Sequence, residues 1–358
     1  MNHRLIFLLT STLALSCSDE AVPLDMASAD DGAGDLGSDE GAPADDGGAD
    51  DGGADDGGAD DGGADDGGAD DGGADDGGTG RRDIRGAVFA DRSGDCADYA
   101  ASTQARAEDV QRVRAFLGLV DVLVGEETCT LVSNAIPNHD FNQAGARFNA
   151  ADVTELEGTW VLPRGPSFAA APSPLTLNSY DAVMLNGVVL DQLAAGCFGV
   201  GDGRVGCNDL AAPYRYDPLS PEAGFFPDAH NAHTQPDGRY HYHGDPLAMY
   251  GEAEDGPSGV IGFAADGFPI YGPYFDDGTE VREAASGYTL RTGTRPGGPG
   301  GRYDGAFRDD YEFTNAGDLD ECNGMTVDGQ YGYYVTRRFP WVVSCFRGTP
   351  DPSFRKRG

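Results

Sequence analysis

The sequence predicts a mainly β, loop-rich, disulfide-braced single domain with one N-terminal amphipathic helix, carried behind a long acidic leader. Three observations support this. Glycine and proline, 55 and 21 of 358 residues, punctuate the chain. Between them run short apolar stretches rich in β-branched and aromatic residues, the pattern of strands. Seven cysteines, without a CxxC pair, follow an export-like N-terminus, the usage of a chain that forms disulfides outside the cytoplasm.

Residues 1–16 read as a lipoprotein signal peptide. Arg4 precedes the apolar run Leu5 to Leu15, which is too short to span a bilayer. Ala14-Leu15-Ser16-Cys17 resembles a lipobox, so Cys17 is the expected lipid attachment point. Residues 17–80 form an acidic spacer in which ADDGG repeats seven times from Ala44 to Gly78. Such a segment buries too little apolar surface to offset the entropy of ordering, and a disordered tether is expected. The location expected is therefore the cell envelope, with the membrane reached through the lipid on Cys17.

The formal charge of −37 divides into −21 for residues 1–80 and −16 for the rest. The folded part lacks a basic face, which argues against nucleic acid as a partner. It also lacks a polybasic stripe for anionic lipid. An envelope glycan or a protein remains a possible partner for a tethered, loop-rich domain.

Residues 81–130 are expected to form an N-terminal extension. Within AEDVQRVRAFLGLVDVLVG (107–125), Val110, Val113, Phe116, Leu117, Val120, Leu123 and Val124 follow helical spacing, which predicts the amphipathic helix. The main domain is expected over 131–350. Strands are expected at 129–134, 155–162, 181–191, 259–265, 268–272 and 331–336. Asp266-Gly267 is the hairpin turn between two of them. Residues 292–305 are a long exposed loop. The six cysteines after Cys17 allow fifteen pairings. The expected set is Cys197 with Cys207, Cys322 with Cys345, and Cys96 with Cys129.

Four of the six histidines lie in DAHNAHTQPDGRYHYHG: His230, His233, His241 and His243. In a strand, alternate side chains share a face, so His241 and His243 point one way and Tyr240 and Tyr242 the other. Proline suits the second position of a type I turn, and glycine the left-handed residue after it. A three-residue loop, Pro236-Asp237-Gly238, then pairs Gln235 with Arg239 and His233 with His241. Opposed Cβ atoms lie roughly 5 Å apart. His233, His241 and His243 would converge on one face, a donor set suited to a divalent metal, Zn or Cu. A two-residue loop at Asp237-Gly238 would instead turn His233 away. His230 falls on the tyrosine face. The structural alternative is a buried histidine–tyrosine network without metal. The tyrosines read as packing residues.

The chain resembles the YHYH domain family, named for the pattern at Tyr240–His243. SNAIPNH (133–139) is similar to the family's Asn-Gly-Ile-Pro-x-His element, with Ala135 where glycine is usual. GFAADGFPIYGPY (262–274), LDECNG (319–324) and YGYYVTRRFPW (331–341) resemble its later elements, so the likeness runs over about 133–347. The resemblance implies an exported domain with His139, His233, His241, His243 and the acids of LDECNG at pattern positions. It names no reaction. On it, His139 is a further candidate ligand, and Asp320 and Glu321 are candidate catalytic bases. An enzyme of this kind would perform metal-assisted hydrolysis, the metal lowering the pKa of a bound water. The same two acids could instead cap the turn before Asn323-Gly324.

Overall fold

The computed structural model describes residues 80–147, 151–201, 203 and 205–356. The expected signal peptide, Cys17 and the ADDGG repeats lie outside the described residues. Among the described residues no α-helix is present; the helical turns are short 3-10 segments.

A five-stranded sheet is built in chain order from β1 (Arg82–Asp83), β2 (Ser102–Asp109), β3 (Arg114–Val124), β4 (Thr128–Ser133) and β5 (Gly158–Pro163). The expected helix is therefore corrected: its residues form the end of β2, a turn and β3. Phe116, Gly118, Val120 and Val122 are buried while the residues between them are more exposed, a period of two. The turn is closed by Val113 in left-handed backbone, φ 51°. Gly118 lets a second segment cross, since a Cβ there would meet the Ile136 carbonyl oxygen at 2.7 Å. A helix could not present this alternating face. The boundary expected after residue 130 falls inside β4, and the preceding segment packs into the main core through Phe116, Val120 and Val122.

The second sheet contains β6 (Ala182–Met184), β7 (Val189–Leu190), β8 (Ala232–Thr234), β9 (Tyr240–Tyr242), β10 (Val260–Ala264), β11 (Pro269–Tyr271), β12 (Gly324–Val327) and β13 (Gln330–Tyr334). Its order is β12-β13-β11-β10-β6-β7-β9-β8, which leaves the β8/β9 hairpin at one edge. The single strand expected over 181–191 is two strands, β6 and β7, joined by Leu185-Asn186-Gly187 with Gly187 at φ 84°. The Asp266-Gly267 hairpin forms as expected, within the loop Ala265-Asp266-Gly267.

One core joins the sheets: Leu131, Trp160 and Leu162 from the first belong with Val183, Phe263, Tyr240 and Tyr334 from the second. Ser133 Oγ donates to the Gly187 carbonyl oxygen at 2.6 Å across the junction. All three expected disulfides are present: Cys96–Cys129, Cys197–Cys207 and Cys322–Cys345. The 292–305 loop is largely exposed but anchored. Arg295 within it is buried and paired with the fully buried Asp310.

Candidate metal centre

The QPDG turn takes the three-residue form. Gln235 N donates to Arg239 O and Gly238 N to Gln235 O, each at 2.9 Å, with Gly238 at φ 88°. His233 consequently pairs with His241, Thr234 with Tyr240 and Ala232 with Tyr242. His243 continues the ladder by donating its N–H to Asn231 O at 2.8 Å.

On this hairpin the three imidazoles form a small propeller. Ring centroids are 4.7 to 4.8 Å apart and ring planes cross at 62° to 79°. His243 Nε2 lies 3.1 Å from His241 Nε2 and 2.9 Å from His233 Nε2. Relative exposures are 8%, 2% and 4% for His233, His241 and His243, so the three rings are shielded from bulk solvent. Burial lowers the pKa of His233 to about 4. Burial first, then the neighbouring imidazoles, hold His241 and His243 well below the usual range.

Proton counting makes the arrangement unusual. His241 Nδ1 faces the Arg239 carbonyl at 3.3 Å. It must donate there, which leaves a lone pair on His241 Nε2. His243 Nε2–H can satisfy that lone pair, but the same hydrogen is then contested by His233 Nε2. Whichever nitrogens of His233 and His243 carry their protons, the two contacts made by His243 Nε2 cannot both be full hydrogen bonds. A cation at the meeting point of the three Nε2 atoms satisfies all of them. With Zn–N bonds near 2.0–2.1 Å, tetrahedral ligand nitrogens lie about 3.3 Å apart, close to the 2.9 and 3.1 Å of the two contacts made by His243. Among the described residues, this is one of two groups of metal-ligating type whose atoms lie within 4.8 Å of one another. The other, Asp95 with Cys96 and Cys129, holds two disulfide-bonded sulfurs.

Residues 159–348 match the family model for the YHYH protein. This chain belongs to the YHYH family. The match covers more than half of the chain and ends close to the expected limit, while SNAIPNH precedes it. No curated protein and no solved structure matches the chain.

The tyrosines of the YHYH strand are fully buried on the opposite face, with Phe141 5.1 Å from the Tyr240 ring. Their hydroxyls do more than pack. Tyr240 OH donates to Asp228 Oδ2 at 2.8 Å. Asp228 also accepts from the N–H groups of His230 and Ala232, tying the hairpin's entry together. Tyr242 OH donates to His139 Nε2 at 2.6 Å and accepts from Asn186 Nδ2 at 2.9 Å. His139 thus belongs to the tyrosine face, which corrects its expected place among the ligands. It stacks on His230 at a centroid distance of 3.6 Å. Burial and His230 lower its pKa to about 3.

Asp320 and Glu321 are also engaged away from the histidines. Asp320 Oδ1 accepts from the N–H groups of Cys322 and Gly324, and Asp320 Oδ2 from Tyr331 OH. Glu321 pairs with Arg347 at 3.0 Å. Neither stands in the metal-competent group, and the turn-capping role is the one realised by Asp320. The structure instead brings Asp191, Gln235 and Lys356 together beside the hairpin. Gln235 Nε2 and Lys356 Nζ both donate to Asp191 Oδ2 at 2.6 Å. Sequence spacing held no signal for this, because Asp191 reaches β9 through a parallel pairing across some fifty residues.

Proposed function

We propose that the YHYH domain binds one divalent metal ion, Zn or Cu, through His233, His241 and His243. The observation that supports it is the convergence of three Nε2 atoms at contacts of 2.9 and 3.1 Å on one buried face. Three imidazoles leave a fourth position for water or another small ligand, and a bound water would be acidified there. Asp320 and Glu321 are held elsewhere, so a hydrolytic step through them draws no support, and the reading stops at the metal. Burial of all three rings favours one alternative, a non-enzymatic envelope or glycan-binding module with a structural histidine network.

Metal analysis of the purified full chain decides between these. One Zn or Cu per chain, lost in His241→Ala, is the expected result. A metal-free wild type whose His241→Ala variant only loses stability overturns the proposal.

We further propose that the protein is exported and held at the cell envelope by lipid on Cys17. The signal-like N-terminus and three disulfides are what support this. Cys17→Ser should move the protein from the membrane fraction to the soluble one. Unchanged membrane recovery counts against the anchor.

A further inference from the structure

Strand β7 runs parallel to β9, with Val189 beside His241 and Leu190 beside Tyr242. The next step of that register sets Asp191 beside His243, and Asp191 N donates to Tyr242 O at 2.9 Å. Paired residues share a face and alternate residues return to it, so Asp191 and His243 stand on the histidine face together.

Three atoms of this face, Asp191 Oδ1, His243 Nδ1 and His233 Nδ1, lack partners, and the register places His243, not His233, beside Asp191. Asp191 Oδ1 is buried without a hydrogen bond, although its side chain is only 5% exposed and Oδ2 is held by Lys356 and Gln235. His243 Nδ1 is likewise buried without a hydrogen bond of ordinary geometry, and the His243 ring has the Asp191 main chain as a second polar neighbour, which the Asp191 side-chain variants leave in place. A histidine that gives Nε2 to a metal carries its proton on Nδ1, and such a ring nearly always donates that proton to a carboxylate, a carbonyl or water. Asp191, itself ion-paired with Lys356, is the buried acid that this register sets on the histidine face.

We propose that the Asp191 carboxylate is the positioning residue of the histidine centre: when a divalent cation takes the three Nε2 atoms, Asp191 Oδ1 accepts the Nδ1–H of His243. Lys356 and Gln235 engage only the carboxylate's other oxygen, which leaves Oδ1 for this contact. The inference rests on the metal reading above.

Zinc is the probe, added to the full chain and measured by competition with a chromophoric chelator. Asp191→Ala, and the isosteric Asp191→Asn should the first not fold, are expected to bind zinc about 10–100-fold more weakly. In proton NMR of the zinc-loaded protein, the downfield His243 Nδ1–H signal should be present in wild type and in Lys356→Met. It should be lost or strongly shifted in the Asp191 variants. Wild-type zinc affinity in both Asp191 variants overturns the role of Asp191 alone. So does an equal loss of affinity and signal in Lys356→Met, which would reduce Asp191 to an ion-pair partner. A wild type that binds no zinc overturns the centre itself.

Discussion

Ala135 is fully buried and holds left-handed backbone, φ 60°. That conformation costs an L-residue about 1–2 kcal/mol. Glycine avoids the strain but loses about 0.5–1 kcal/mol more entropy on folding. Ala135→Gly should therefore leave stability unchanged or raise it by up to ~1 kcal/mol in denaturant unfolding, which gives a physical reason for the glycine usual at this point of the family pattern. A second expectation concerns His139. Its folded pKa, about 3, lies below the ordinary histidine value of 6.5. The unfolded chain binds the proton first, so this group's contribution is fully present above pH 6.5 and is lost as pH falls toward 3. Unfolding measured against pH in chelator should show wild type losing stability relative to His139→Gln across that window. Asp181, whose pKa is pushed up to about 7 by burial and then by Asp191, works in the opposite direction and drops out of the comparison. A flat difference would mean that His139 is not buried as a neutral ring. At this scale the trio was legible, because strand alternation and turn chemistry both act over a few residues. Asp320 and Glu321 were not, since an acid before Asn-Gly looks the same whether it caps a turn or serves a metal.

Three hairpins share one loop form: Leu185-Asn186-Gly187, Pro236-Asp237-Gly238 and Ala265-Asp266-Gly267, each with glycine at positive φ. Asp328-Gly329 closes the β12/β13 hairpin with two residues instead, at φ 52° and 82°. The Asp-Gly pair alone does not select the register. At the histidine hairpin, Pro236 supplies the first type I position and Gly238 the left-handed one. Gly238 is also enclosed: a Cβ would meet Asp152 O at 2.7 Å and Thr154 Oγ1 at 2.6 Å. Gly238→Ala should cost about 1–3 kcal/mol, from strain and the clash together. It should weaken metal binding as well, because the register places His233. Unchanged metal affinity in a destabilised variant would show that the histidines do not depend on the turn. The segment after Ala107 misleads at the same scale. Its valines and leucines satisfy helical spacing as well as alternation, and the choice falls to β2 and β4, which flank β3 and pair with it on both sides.

Across the whole molecule, the strand content and the three disulfides were readable, while the sheet order was not. Placing β6 and β7 between β10 and β9 joins residues from distant parts of the chain, and local composition carries no record of such neighbours. Cys96–Cys129 spans 33 residues and ties the 3-10 turn between β1 and β2 to the fourth strand of the five-stranded sheet. Its removal as a Cys96→Ala/Cys129→Ala pair should cost about 2–5 kcal/mol in denaturant unfolding. A loss below ~1 kcal/mol would show that strand pairing alone holds this sheet. The proposed metal ligands present the reverse case: all of them fall between residues 233 and 243, on the two arms of one tight turn. Closing so short a loop requires little ordering of the chain, whereas the parallel contact with β7 waits for a much longer one. On the proposed metal reading, the hairpin could thus take up an ion before the parallel pairing forms and enter the sheet as a finished piece. A peptide spanning residues 228–246 should then bind zinc by itself, more weakly than the intact chain, and fold as it does so.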